Sequence, residues 1–246
     1  MGYSIDAQAL NQRTILITGA SDGIGQQAAV SFANHGATVI LLGRNEQKLQ
    51  QTARAVAEQG FETPTYFSLD MLTANKSDYD TLATHISQQY GRLDGVLHSA
   101  GLLGNIEPIE AISTNVFDDV MQVNVKAQLL LTQAILPLLK AAPDGRLVFT
   151  TSTVGHVGRA GWGTYSISKF ATEGMMQVLA DELQDTSVRV NAINPGGTRT
   201  SMRAQAFPSE DPMTLKTPLD IMPLYLYLMA PEGINEHGQC IDAQPK

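Results

Sequence analysis

Cysteine is almost missing from this chain: Cys240 stands alone in 246 residues. An intrachain disulfide is excluded, and one thiol among five scattered histidines offers no metal-ligand spacing, so no metal is expected. The scarcity of thiols and the absence of a disulfide framework point to a reducing, cytoplasmic compartment. A basic excess is also absent. Sixteen Lys and Arg against 24 Asp and Glu leave a net charge of −8, which gives no face for a phosphate backbone and excludes a nucleic-acid partner. Long apolar runs are missing too. The longest, over 224–230, is far short of a bilayer span, and residues 1–13 are polar where a signal peptide needs an apolar core. Asp6 stands where the myristoylation pattern opened by Met1-Gly2 requires Ser or Thr, so no membrane partner is expected. Repeats, low-complexity tracts and linkers are lacking as well. With 43% apolar residues, the chain has enough for one sizeable core and a single domain over 1–246.

What is present is an alternation of short apolar runs and helical stretches. Runs at 14–18, 38–42, 65–68, 95–98, 146–150 and 188–193 read as strands, and 24–35, 46–59, 78–90, 116–140 and 163–183 as helices. The strand runs are nearly continuous in apolar residues, as expected of a sheet covered on both faces. Strand–helix alternation predicts an α/β, doubly wound Rossmann fold, with a parallel sheet of about seven strands and helices on both faces. The helices at 116–140 and 163–183 carry apolar residues on more than one face. This predicts a homodimer or homotetramer formed through them.

The most informative grouping is Tyr165-Ser166-Ile167-Ser168-Lys169, with Ser152 upstream. On a helix, Lys169 lies one turn along the same face as Tyr165. Its charge favours the tyrosinate and lowers a pKa that is ordinarily about 10. A drop of about three pH units corresponds to about 4 kcal/mol, which also requires the charge of an oxidised nicotinamide nearby. Ser152 is placed to hydrogen-bond the reacting oxygen. With seven Tyr and seven Lys, about 0.2 such pairs arise by chance, and about 0.01 once a Ser at a fixed offset is required.

A second constellation lies near the start. The run Ile15-Leu16-Ile17-Thr18 leads into Gly19-Ala20-Ser21-Asp22-Gly23-Ile24-Gly25 and then an apolar helix. Strand, glycine turn and helix N-terminus together offer close backbone approach and free N–H groups to a pyrophosphate. The second strand ends in Gly43-Arg44 rather than in an acid, so a ribose 2′-phosphate is expected: NADP, with NAD the weaker reading. Asn45 can cap the next helix, and the Asp22 carboxylate repels phosphate.

At this point the chain resembles the short-chain dehydrogenase/reductase family over nearly its whole length. The turn Thr18-Gly19 to Gly25 is similar to the family's cofactor loop, and Asp70 to its adenine-contacting acid. Ser99-Ala100-Gly101 stands where Asn-Ala-Gly is usual. Asn124 is similar to the asparagine that holds a water in the proton relay. Ser152, Tyr165 and Lys169 are similar to the catalytic residues. Pro195-Gly196-Gly197-Thr198-Arg199-Thr200 is similar to the nicotinamide-side motif, so Pro195, Gly196, Thr198 and Thr200 are implied to bind cofactor, as are Tyr165 and Lys169. The last third, including Asp242-Ala243-Gln244-Pro245, most resembles one bacterial branch of the family. The resemblance implies hydride transfer between NADP(H) and a small carbonyl or alcohol, with Tyr165 as general acid/base. The alternative is a catalytically silent NADP(H)-binding regulatory protein. Trp162 and His156 are candidates for the substrate pocket, His98 for a satisfied core residue. The Pro-containing stretch holding Met202, Phe207 and Met213 is expected to be a long loop acting as a substrate lid.

Overall fold

Successive side chains of each central strand point to opposite faces of the sheet, and both faces are apolar. In the computed structural model of the protein, which describes residues 3 and 5–245, this alternation sorts the strand residues into two separate cores. Leu16, Ile40, Leu42, Val96, Leu147 and Phe149 belong to one, while Ile15, Ile17, Val39, Leu41, Leu97 and Val148 belong to the other. The Met1-Gly2 pattern lies outside the described residues.

Seven parallel strands run in the order β3-β2-β1-β4-β5-β6-β7. They are β1 Thr14–Thr18, β2 Thr38–Gly43, β3 Thr65–Ser68, β4 Gly95–His98, β5 Gly145–Thr150, β6 Val188–Asn194 and β7 Cys240–Asp242. Helices α1 (Gly23–Asn34), α2 (Glu46–Ala57) and α8 (Met222–Met229) cover one face. The other is covered by α3 (Lys76–Tyr90), α5 (Ala127–Lys140) and α6 (Gly163–Glu182). Strand order reverses between β1 and β4, which opens a crevice at their carboxyl ends. No helix among the described residues is long and apolar enough to cross a membrane.

The strand count agrees with the expected sheet of about seven, although no apolar run marked the last, and two further features differ from the sequence expectation. The seventh strand, β7, has only three residues and no apolar run, and it exists because β6 offers it a parallel edge. The single helix expected over 116–140 is instead α4 (Thr114–Met121), a π-helical turn at Gln122–Lys126, and α5. The wider turn leaves Asn124 fully buried, and π turns of this kind cluster at functional sites. The expected lid loop is ordered: α7 (Ser201–Ala206) begins it, and a 3-10 turn follows at Pro212–Thr214. Arg203 holds Glu210 through two 2.6 Å hydrogen bonds across the segment.

Candidate active site

The crevice at the switch point is a cavity of about 510 Å³. Its floor is the glycine turn after β1. Gly19 has φ +67, and a Cβ there would lie 2.9 Å from the Ala100 backbone, so only glycine fits. Gly25 does not line the cavity; a Cβ on it would run into the Gly19 carbonyl oxygen, so it serves close strand–helix packing. Asp22 precedes α1 without a side-chain cap hydrogen bond, which leaves the first-turn N–H groups available to an anion. The buried Thr18 hydroxyl accepts from the backbone N–H of Ser99 and of Ala100, 3.0 Å each. Thr18 therefore holds the turn at 99–101, which makes the Ser in place of Asn tolerable.

At the β2 end, Arg44 is exposed and lines the cavity with Asn45 and Lys48. Asn45 accepts from the Lys48 N–H at 3.0 Å and so caps α2. Lys48 is a residue that sequence reasoning missed. Its Nζ is 3.6 Å from Asp22 Oδ2, and Ser201 donates to the same oxygen at 3.0 Å. The Asp22 charge is thus shared with a cation and a hydroxyl, which answers its expected repulsion of phosphate. A second cation one helical turn past Arg44 was the available signal. Asp70 lines the same side and accepts from the Leu72 N–H at 3.0 Å.

At the opposite end, Ser152, Tyr165 and Lys169 all line the cavity. The Tyr165-x-x-x-Lys169 spacing on α6 puts the Lys169 ammonium 5.4 Å from the Tyr165 ring centroid, and it donates to the Thr150 carbonyl at 2.7 Å. Both side chains are buried. The expected lowering of the Tyr165 pKa counted on an oxidised nicotinamide as well as Lys169, and burial by itself acts the other way. Burial pushes the phenol above its ordinary value, because a tyrosinate here would lose its hydration and, among the described residues, the hydroxyl donates only to the Met202 sulfur, at 3.9 Å. Burial also brings Lys169 down to about 8, against a smaller opposing pull from Glu173. Ser152 accepts weakly from the Val154 N–H at 3.4 Å, leaving its own proton unassigned within the described residues.

Asn124 lies behind this end rather than in the cavity lining. Its Oδ1 accepts from the Leu102 N–H at 2.7 Å. Its Nδ2 donates to the Leu102 carbonyl at 2.9 Å and to Ser168 Oγ at 3.0 Å. A Cβ on Gly101 would sit 3.4 Å from that Oδ1 and 3.8 Å from Lys169 Nζ, in ordinary van der Waals contact with both, so a small gap beside Gly101 borders the two groups. The loop at 195–200 closes the wall. Pro195, Gly196, Thr198 and Thr200 line the cavity, and the Gln244 amide donates to Pro195 O at 2.8 Å and Gly197 O at 3.0 Å. Ser21, Gly23, Ile24, Ser99, Ala100 and Gly101 line it too.

An apolar cluster of Leu103, Val154, Trp162 and Tyr165, with Met202 and Phe207 packed against it, backs this end, and Leu103, Trp162, Tyr165 and Met202 of it line the cavity. Trp162 meets Tyr165 edge-on at 6.0 Å. Met213 is 73% exposed and takes no part. His156 is not in the pocket wall; its Nδ1 faces Glu173 Oε1 at 3.2 Å. His98 is fully buried, stacks on Phe149 and pairs with Thr132, and burial lowers it to about 3. It is a core residue.

With this geometry in place, the comparisons converge. The short chain dehydrogenase family profile matches residues 13–211, and the chain belongs to the short-chain dehydrogenase family. It is 58% identical over 245 residues to the oxidoreductase YciK of Escherichia coli K12, covering 100% of this chain and 97% of that one. This is the bacterial branch that the last third resembles. A short chain dehydrogenase from Shigella flexneri, solved in complex with NADP, superposes with a TM-score of 0.96 at 58% identity, covering 98% of this chain and 100% of that one. One from Escherichia coli CFT073, solved in complex with NADPH, gives 0.96 at 59% identity over the same shares.

Proposed function

We propose that the protein is a cytoplasmic NADP(H)-dependent oxidoreductase acting on a small carbonyl or alcohol, with Tyr165 as general acid/base. One observation carries this reading: a single cavity gathers Ser152, Tyr165 and Lys169 at one end and Arg44 with Lys48 at the other. The residues fit the dinucleotide. The uncapped N-terminus of α1 and Gly19 suit a pyrophosphate, the two cations suit a 2′-phosphate rather than the bare ribose of NAD, and Asp70 suits adenine. Ser99, Ala100 and Gly101 with Pro195, Gly196, Thr198 and Thr200 are the walls for the nicotinamide half. That similar structures hold NADP and NADPH supports the same choice. When bound, the nicotinamide supplies or accepts the hydride and, when oxidised, adds a positive charge.

The chain's own residues supply placement and protons. Burial keeps Tyr165 protonated at neutral pH, so it is loaded to donate to a developing alkoxide. Ser152 turns its free O–H toward the same oxygen, a contribution commonly of about 3 kcal/mol. Lys169, anchored on the Thr150 carbonyl, reprotonates Tyr165. The gap beside Gly101 suits a water linking Lys169 to Asn124, and the buried amide of Asn124 fixes that corner by tying Leu102 to α6. The apolar wall of Trp162 and Leu103 favours a hydrophobic substrate.

Tyr165→Phe tests the reading. Turnover with a panel of aldehydes and ketones, followed at the NADPH absorbance, is expected to fall by at least about 10³-fold, with the Kd for NADPH changed less than about twofold. Retained turnover refutes the role of Tyr165. Absence of turnover in the unaltered protein, with NADPH still bound, selects the silent binding protein instead.

The assembly belongs to the same reading. Of the apolar residues on α5 and α6, Leu131, Ile135, Met176 and Leu179 are consumed by the core, while Leu129, Ile167, Phe170 and Val178 remain exposed. These four support a homodimer or homotetramer through the two helices. Phe170→Glu is expected to lower the sedimentation mass to that of smaller species.

A further inference from the structure

Beside the catalytic helix, three elements bring together side chains that do not line the cavity. His156 follows the turn after β5, Glu173 lies one turn beyond Lys169 on α6, and Cys240 opens β7. One ligand atom from each lies within 4.8 Å of the other two. Glu173 is buried, whereas His156 and Cys240 are exposed and reachable from solvent.

We propose that His156, Glu173 and Cys240 form a binding site for a divalent ion of the zinc class.

The geometry is close to what such an ion needs. Ligand atoms about 2.0–2.1 Å from a tetrahedral zinc lie about 3.4 Å from one another, and His156 Nδ1 is already 3.2 Å from Glu173 Oε1. Cys240 must close the remaining distance, which its exposed side chain at a sheet edge can do by a rotamer change. The Glu173 carboxylate is oriented from behind by Thr151 Oγ1, which donates to Oε1 at 2.6 Å, the kind of support that metal ligands receive from a second layer. The space for it depends on Gly155, where a Cβ would lie 2.5 Å from both Glu173 Oε1 and Thr151 Oγ1. Thiolate, carboxylate and neutral imidazole carry two negative charges in sum, matching a divalent ion. The sulfur and nitrogen donors select zinc or cobalt over magnesium or calcium. Three protein ligands with a fourth position open to solvent complete the set. An ion here would fasten the three-residue edge strand β7 to the helix that carries Tyr165 and Lys169.

The test uses untagged, reduced protein titrated with Co²⁺. Because Cys240 is the only thiol, a thiolate-to-cobalt charge-transfer band in the near ultraviolet can arise nowhere else. One equivalent is expected to saturate the band, Zn²⁺ to abolish it and Mg²⁺ to leave it unchanged. Cys240→Ser and His156→Ala, both outside the catalytic group, are each expected to lose it. Zn²⁺ at about a hundredfold excess over its Kd is expected to raise the Tm of the unaltered protein by about 5 °C and that of Cys240→Ser not at all. No band, a band that survives His156→Ala, or an equal Tm rise in both proteins overturns the site.

Discussion

The two ends of the cavity hold cations in opposite surroundings. Arg44 and Lys48 stand in water at the β2 end, while Lys169 is buried beside a buried phenol at the other. A cation in water can choose between ligands by their charge but is screened by salt. A buried cation is less screened, yet its protonation becomes negotiable, which is what proton transfer requires. On the proposed function, one end selects the ligand and the other carries the chemistry.

The comparison can be broken in order of effect. The loss of turnover in Tyr165→Phe is the largest, because it removes the proton and leaves the selecting end intact. Next comes Arg44→Glu, which is expected to raise KM for NADPH by about 30-fold or more, as loss of a charge-assisted contact does. KM for NADH should move less than about threefold; equal effects on the two cofactors would show that Arg44 does not select. Lys48→Ala is expected to weaken NADPH by only about fivefold, and that factor should shrink as salt is added. The smallest effect is a pH limb. Lys169 sits at about 8, so its ammonium is complete well below that pH and is lost as pH rises through it. The kcat for reduction is therefore expected to decline above about pH 8, with a midpoint that added salt leaves in place. A midpoint that moves with salt would make the reaction end resemble the Arg44 end.

Much of this molecule is legible from near neighbours in the chain. Strand periodicity places β1 to β6, since a run such as Thr38-Val39-Ile40-Leu41-Leu42 has only one good use in a sheet covered on both sides. The glycine turn declares itself by its place between an apolar strand and an apolar helix, although the Ala100 backbone that makes Gly19 obligatory lies far along the chain. By contrast, the π turn at Asn124 is invisible in a continuous apolar pattern, and the bonds of the Asn124 side chain to Leu102 and Ser168 join segments distant in the chain. The segment at 201–217 is likewise bridged by side chains, in the Arg203–Glu210 pairing. β7 needed β6 to exist at all.

The sequence by itself determined the fold class, the glycine turn after β1 and the placing of Tyr165 and Lys169 on one helix face, because each depends on spacings within one turn or one strand. Tertiary structure alone decided the direction of the Tyr165 shift, the sharing of Asp22 between Lys48 and Ser201, and the meeting of His156, Glu173 and Cys240. Those outcomes depend on burial and on contacts between distant segments, and no local pattern of residues encodes the water that packing removes.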